Sequence, residues 1–137
     1  MGCLGRKKKD YGFKPFEKDV RSADNHHIRI TRDMMSSKAW KSLSVHSRVL
    51  YMEMKCKYTG NNQNDISFTY KEAAEIMNDR TFTKSIDQLI ETGFIKLIEQ
   101  NWTTRRPNIY GFSDQWKLYG TKDFNVKPRM KRLSANL

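Results

Sequence analysis

The chain has 137 residues, enough for one domain and short for two. Twenty-six Lys and Arg against fifteen Asp and Glu give a formal charge of +11 and a pI near 9.8, which points to a polyanionic partner. An aromatic content of 12% is too rich for a disordered polycation, and no apolar run approaches the roughly 18 residues of a membrane span.

Cys3 and Cys56 follow no metal spacing and indicate no disulfide framework. No secretory signal opens the sequence, so the expectation is a cytoplasmic protein. Met1-Gly2-Cys3 beside a lysine run hints at acylation, but Arg6 stands where a myristoylation signal wants Ser or Thr, so no membrane partner is expected.

The charge is uneven. Residues 1–21 hold seven basic and three acidic side chains, residues 121–137 five and one, and residues 22–120 fourteen and eleven. Arg6, Lys7, Lys8 and Lys9 at one end, with Lys127, Arg129, Lys131 and Arg132 at the other, read as flexible basic arms able to touch phosphates without regard to sequence. The alternative for both is a solvated tail that keeps the protein soluble. The expected division is a basic arm over 1–24, a folded domain over 25–120 and a basic tail over 121–137.

In chain order, the alternation from His26 to Arg32 predicts a short strand with Ile28 and Ile30 inward. Ser36 or Ser37 is suited to cap a short helix through Ala39, Trp40 and Leu43, and Ser44 a longer one. In that longer helix Val45, Val49, Met52 and Cys56 form one apolar face, which makes Cys56 a small core side chain. Gly60-Asn61-Asn62 ends it.

Ile66, Phe68 and Tyr70 alternate briefly, and Thr69 with Glu72 is a capping-box signature for a helix carrying Ala73, Ala74, Ile76 and Met77. Asn78-Asp79 breaks that helix and starts the next, whose buried stripe is Phe82, Ile86, Leu89 and Ile90. Gly93 is placed to stop it in the left-handed conformation. Strand-like runs follow at Phe94–Glu99 and Asn108–Ser113, separated by a polar, basic stretch. Trp116, Leu118 and Tyr119 are expected to pack back on the body.

Helix, short strand, helix, tight turn, helix, hairpin is the order of a winged helix. The run Ser67-Phe68-Thr69-Tyr70-Lys71-Glu72-Ala73-Ala74-Glu75-Ile76-Met77 resembles the first helix of a helix-turn-helix. Phe82 to Ile95, closing on Leu89-Ile90-Glu91-Thr92-Gly93-Phe94-Ile95, resembles a recognition helix running into the wing. Over residues 26–120 the chain looks most like small winged-helix proteins of plasmids, phages and conjugative elements of Gram-positive bacteria. The resemblance implies an α+β fold, a three-helix core with a hairpin wing, here with an added N-terminal strand, a short helix and basic arms. It also implies a role in replication initiation or conjugative transfer.

The residues locate a site without help from the family. With the Phe82 stripe inward, Arg80, Thr81, Thr83, Lys84, Asp87, Gln88 and Glu91 point outward, and the first of these suit a helix whose opening turns enter a major groove. Gln88 is placed to read adenine, whereas Asp87 and Glu91 repel phosphates unless Asp87 accepts from a cytosine amine. In the hairpin, Arg105 and Arg106 suit phosphates or a neighbouring minor groove, and Thr103, Thr104 and Asn108 suit phosphate oxygens. Trp102 either packs beneath the tip or stacks on a base.

A catalytic site is not expected. There is no phosphate-cradling glycine loop, and His26-His27, adjacent on a strand, point to opposite faces and do not make a His-apolar-His metal motif; no cofactor or metal is called for. The leading expectation is therefore double-stranded DNA binding by a monomer or weak homodimer, in replication, conjugation or transcriptional control. The competing ones are a protein-interaction module docking on a replication or transfer complex, and RNA or single-strand binding with Trp102 and Tyr110 as stacking platforms.

Overall fold

The computed structural model describes residues 27–101 and 106–130. Its first three helices each start from a hydroxyl that accepts a free backbone N–H. Thr31 Oγ1 takes the Met34 amide at 3.2 Å and opens α1 (Arg32–Ser36). Ser37 takes the Trp40 amide at 3.2 Å and opens α2 (Lys38–Ser42), and Ser44 takes the Ser47 amide at 3.2 Å and opens α3 (Val45–Lys55).

The strand expected over His26 to Arg32 is not formed over the part described: residues 27–30 carry no regular structure, and His26 lies outside the described residues. Alternation needs a partner strand to become a ladder, and here the Thr31 cap turns the chain into α1 first. Ile30 still packs against the core without pairing.

α3 also differs from expectation, because its buried face is Ser47, Leu50, Tyr51 and Met54. Val45 is 70% exposed and Cys56 is exposed, so Cys56 is not a core side chain. The helix carries two stripes at helical spacing, and the one with greater aromatic volume is buried. Tyr51 makes edge contacts with Trp40, Phe94 and Phe112 at centroid distances of 6.0, 5.4 and 6.0 Å. That burial pushes the Tyr51 phenol well above its ordinary pKa.

Beyond Gly60 the chain forms β1 (Ile66–Ser67), α4 (Tyr70–Ala73) and α5 (Asp79–Glu91). Thr69 and Glu72 form the expected capping box, and Asn78 Oδ1 caps α5 through the Thr81 amide at 2.8 Å. Phe82, Ile86, Leu89 and Ile90 are all buried, as their spacing predicts.

α5 ends in a Schellman turn, in which the Phe94 amide donates to the Leu89 carbonyl at 3.0 Å and the Gly93 amide to Ile90 at 3.1 Å. Gly93 has φ +87°, and a Cβ there would lie 2.6 Å from the Trp116 backbone nitrogen. The position demands glycine twice, for its dihedral and for the 3-10 turn (Gln115–Leu118) seated on it.

The hairpin strands β2 (Ile95–Glu99) and β3 (Ile109–Phe112) join β1 in an antiparallel sheet of order β1-β3-β2. Ile66 faces Tyr110 and Ile95 faces Phe112, with an irregularity between Leu97 and Glu99 that leaves Ile98 46% exposed. Phe94, fully buried where α5 passes into β2, stacks on Trp116 at 5.7 Å and an interplanar angle of 7°. The described residues thus form a mixed α+β fold with a small antiparallel sheet. Its element order is compatible with the expected winged helix.

Candidate nucleic-acid interface

α4 is only four residues long, and its orientation is fixed from outside. The Lys57 ammonium, following α3, donates to the Ser67 carbonyl at 2.6 Å, pairs with the Glu72 carboxylate and lies 4.8 Å from the Phe68 ring centroid. One cation thereby ties α3, β1 and α4 together. It also holds the Glu72 carboxyl below its ordinary pKa.

From α4, Tyr70 reaches α5. Its ring meets Phe82 edge-on at 5.1 Å and its hydroxyl shares a 3.2 Å hydrogen bond with Thr83 Oγ1. Tyr70 is 55% exposed, so a residue that alternation places with the core lies on the outer side beside α5. Its position immediately after the Thr69 cap is the sequence signal for this, because the first residue of a capped helix stands at the rim.

On α5, Arg80 and Lys84 are exposed on the side away from the Phe82 stripe, and Thr81 and Thr83, half-buried, flank that stripe. Thr83 Oγ1 also donates back to the Asp79 carbonyl at 3.0 Å. Lys71 on α4 is a further exposed cation near this turn that motif spacing does not single out.

Gln88 departs from the adenine-reading role. Its Oε1 accepts from the Ser44 amide at 2.9 Å and from Ser47 Oγ at 2.6 Å, and its Nε2 donates to the Ser42 carbonyl at 3.2 Å. The α3–α5 contact turns this amide inward as a brace, because the start of α3 brings a buried hydroxyl and a free N–H to it.

Asp87 and Arg129 also depart from expectation. Arg129 Nε and Nη2 donate to the two Asp87 carboxylate oxygens at 2.7 and 3.1 Å, with the two side chains 19% and 16% exposed. Arg129 is therefore docked on α5 and not part of a loose arm. Residues 121–130 continue the body as a strap: Asn125 N–H donates to Gln115 Oε1 at 2.9 Å, Phe124 meets Tyr119 edge-on at 5.4 Å, and Gln100 Nε2 donates to the Met130 carbonyl at 3.0 Å. Lys127 is exposed on this strap.

In the hairpin, Arg106 is exposed. Asn108 Oδ1 accepts the Asn101 amide at 2.8 Å, and Asn101 Nδ2 donates to the Pro107 carbonyl at 2.9 Å. The side-chain carbonyl of Asn108 thus closes the hairpin, a bond that uses its oxygen and not the NH2 group that the expected phosphate contact would use. Trp102, Thr103, Thr104 and Arg105, the arm residues Arg6, Lys7, Lys8 and Lys9, and Lys131 and Arg132 lie outside the described residues.

Among the described residues no three His, Cys, Asp or Glu side chains are grouped to hold a metal, and no helix is long and apolar enough to cross a membrane. No family model, curated protein or solved structure matches the chain.

Proposed function

We propose that the chain is a winged-helix protein that binds double-stranded DNA, with α5 as the helix that enters the major groove and the β2–β3 hairpin as the wing. The observation that carries the reading is the N-terminal half of α5. Arg80 and Lys84 stand exposed on its outer side, directly opposite a fully buried Phe82–Ile86–Leu89 stripe. A rigid helix that offers cations and small hydroxyls from its first turns suits base edges flanked by phosphates. The sheet order β1-β3-β2 supports it, because β3 pairs with both other strands and β2, the first strand of the hairpin, leads directly out of α5. The resemblance to mobile-element proteins favours replication initiation or conjugative transfer as the setting.

The test is binding of labelled duplex, single strand and RNA of matched length at fixed salt. Duplex binding that weakens steeply with added salt supports the reading. Preference for the single strand or RNA overturns it.

The second reading is a protein-interaction module, favoured by the outward apolar stripe of α3, where Val45 is 70% exposed and Val49 and Met52 only half-buried. It takes precedence if no nucleic acid binds.

A further inference from the structure

Asp87 lies three residues after Lys84 and seven after Arg80, on the same side of α5. Unpaired, its carboxylate would stand on the surface offered to phosphates and repel them. Arg129 cancels that charge with a two-pronged pair at 2.7 and 3.1 Å.

The next residue, Met130, gives its carbonyl to Gln100, just past β2. Two consecutive strap residues therefore bridge α5 and the hairpin, the two elements the proposed DNA interface needs at a fixed angle. The strap covers the α5 face at Asp87, which is 16% exposed, while Arg80 and Lys84 towards the start of the helix and Glu91 at its end stand open. It contributes positive charge of its own through Lys127.

We propose that the strap over residues 121–130 is a built-in part of the DNA-binding face and that Arg129 is its positioning residue, acting by neutralising Asp87 on α5. The proposal rests on the DNA-binding reading above. It separates Arg129, which acts through Asp87, from the cations that touch phosphate themselves.

The experiment is fluorescence anisotropy of the full chain with a mixed-sequence duplex at several salt concentrations, using Arg129→Ala, Asp87→Asn and the double variant. Arg129→Ala exposes a bare carboxylate and is expected to weaken binding about tenfold at low salt. Asp87→Asn releases a guanidinium and is expected to tighten binding about twofold. The double variant returns to within about threefold of the parent, with the slope of log K against log salt unchanged.

If Arg129 instead touches phosphate directly, Asp87→Asn does not rescue Arg129→Ala, and the slope falls by about 0.9, which overturns the positioning role. Unchanged or tighter binding by Arg129→Ala overturns it too, tighter binding marking the strap as a cover over the site. Should Arg129→Ala fail to fold, Asp87→Asn carries the test alone, and no gain in affinity overturns the proposal. A parent chain that binds no duplex removes the underlying DNA reading and this inference with it. A parent that binds while Arg129→Ala binds equally removes only the inference.

Discussion

The Gln88 side chain of α5 and the buried hydroxyl of Ser47 on α3 meet in a 2.6 Å hydrogen bond, a polar joint between the two longest described helices. The same Oε1 accepts the Ser44 amide, so one oxygen both satisfies a buried hydroxyl and completes a helix start. Gln88→Ala leaves both donors without this partner. The expected loss is about 1–3 kcal/mol in urea denaturation, and less than additive with Ser47→Ala. Base preference at any DNA target should not change, since this amide faces α3. A change in preference with stability intact would falsify the brace.

Two glycines separate backbone strain from steric conflict. Gly60 has φ +106° and open space within 4 Å of where a Cβ would stand, whereas Gly93 has φ +87° and Trp116 N at 2.6 Å. Gly60→Ala should cost about 1 kcal/mol, the strain of the left-handed region alone. Gly93→Ala must also push the 3-10 turn off α5 and is expected to cost about 2–4 kcal/mol. Comparable denaturation midpoints for the two variants would mean that the Trp116 segment moves aside freely.

The Lys57–Glu72 pair sets a pH dependence. Glu72 has its carboxyl pKa lowered in the folded chain, chiefly by the Lys57 hydrogen bond, from an ordinary value of 4.5. A lowered folded pKa stabilises the protein above the unfolded value, and the contribution is lost as pH falls through the folded one. Stability should therefore decline below about pH 4.5, and Glu72→Gln should flatten that acid limb. The side chains are 32% and 40% exposed, so solvent screening keeps the effect under about 1 kcal/mol. Denaturation midpoints at a series of acid pH values check it, and an acid limb unchanged in Glu72→Gln rules the pair out as its source.

Legibility in the sequence followed the range of the interactions. α5 was readable because its signals are local and agree: Asn78 as cap, one apolar stripe, and Gly93 with Phe94 as stop. The Thr69–Glu72 box was readable for the same reason. α3 was not, since Val45–Cys56 and Ser47–Met54 are both helical stripes, and only the aromatic partners at Trp40, Phe94 and Phe112 decide between them.

The site divides in the same way. Arg80 and Lys84 follow from the stripe opposite them. Gln88 and Arg129 do not, because their partners lie 41 to 46 and 42 residues away, and charge density along a chain does not reveal pairing.

Lys84 and Thr83 provide the sharpest separation of contact from support on α5. Lys84 is exposed and shares its face with Arg80, so as a phosphate or base contact its removal acts on DNA alone. Lys84→Ala is expected to weaken duplex binding by about 1–3 kcal/mol while leaving the denaturation midpoint unchanged. If the contact is to phosphate, the salt slope also falls by about 0.9 and all duplexes weaken alike.

Thr83 is tied to Tyr70 and to the Asp79 carbonyl, so Thr83→Ala should alter both binding and the seating of α4. Tyr70→Phe removes the shared hydrogen bond but keeps the ring on Phe82, and it isolates the seating effect. Binding losses in Thr83→Ala that exceed those in Tyr70→Phe belong to the Thr83 hydroxyl at the DNA. Equal losses assign Thr83 to holding α4, and full affinity in Lys84→Ala removes α5 as the DNA-contacting helix.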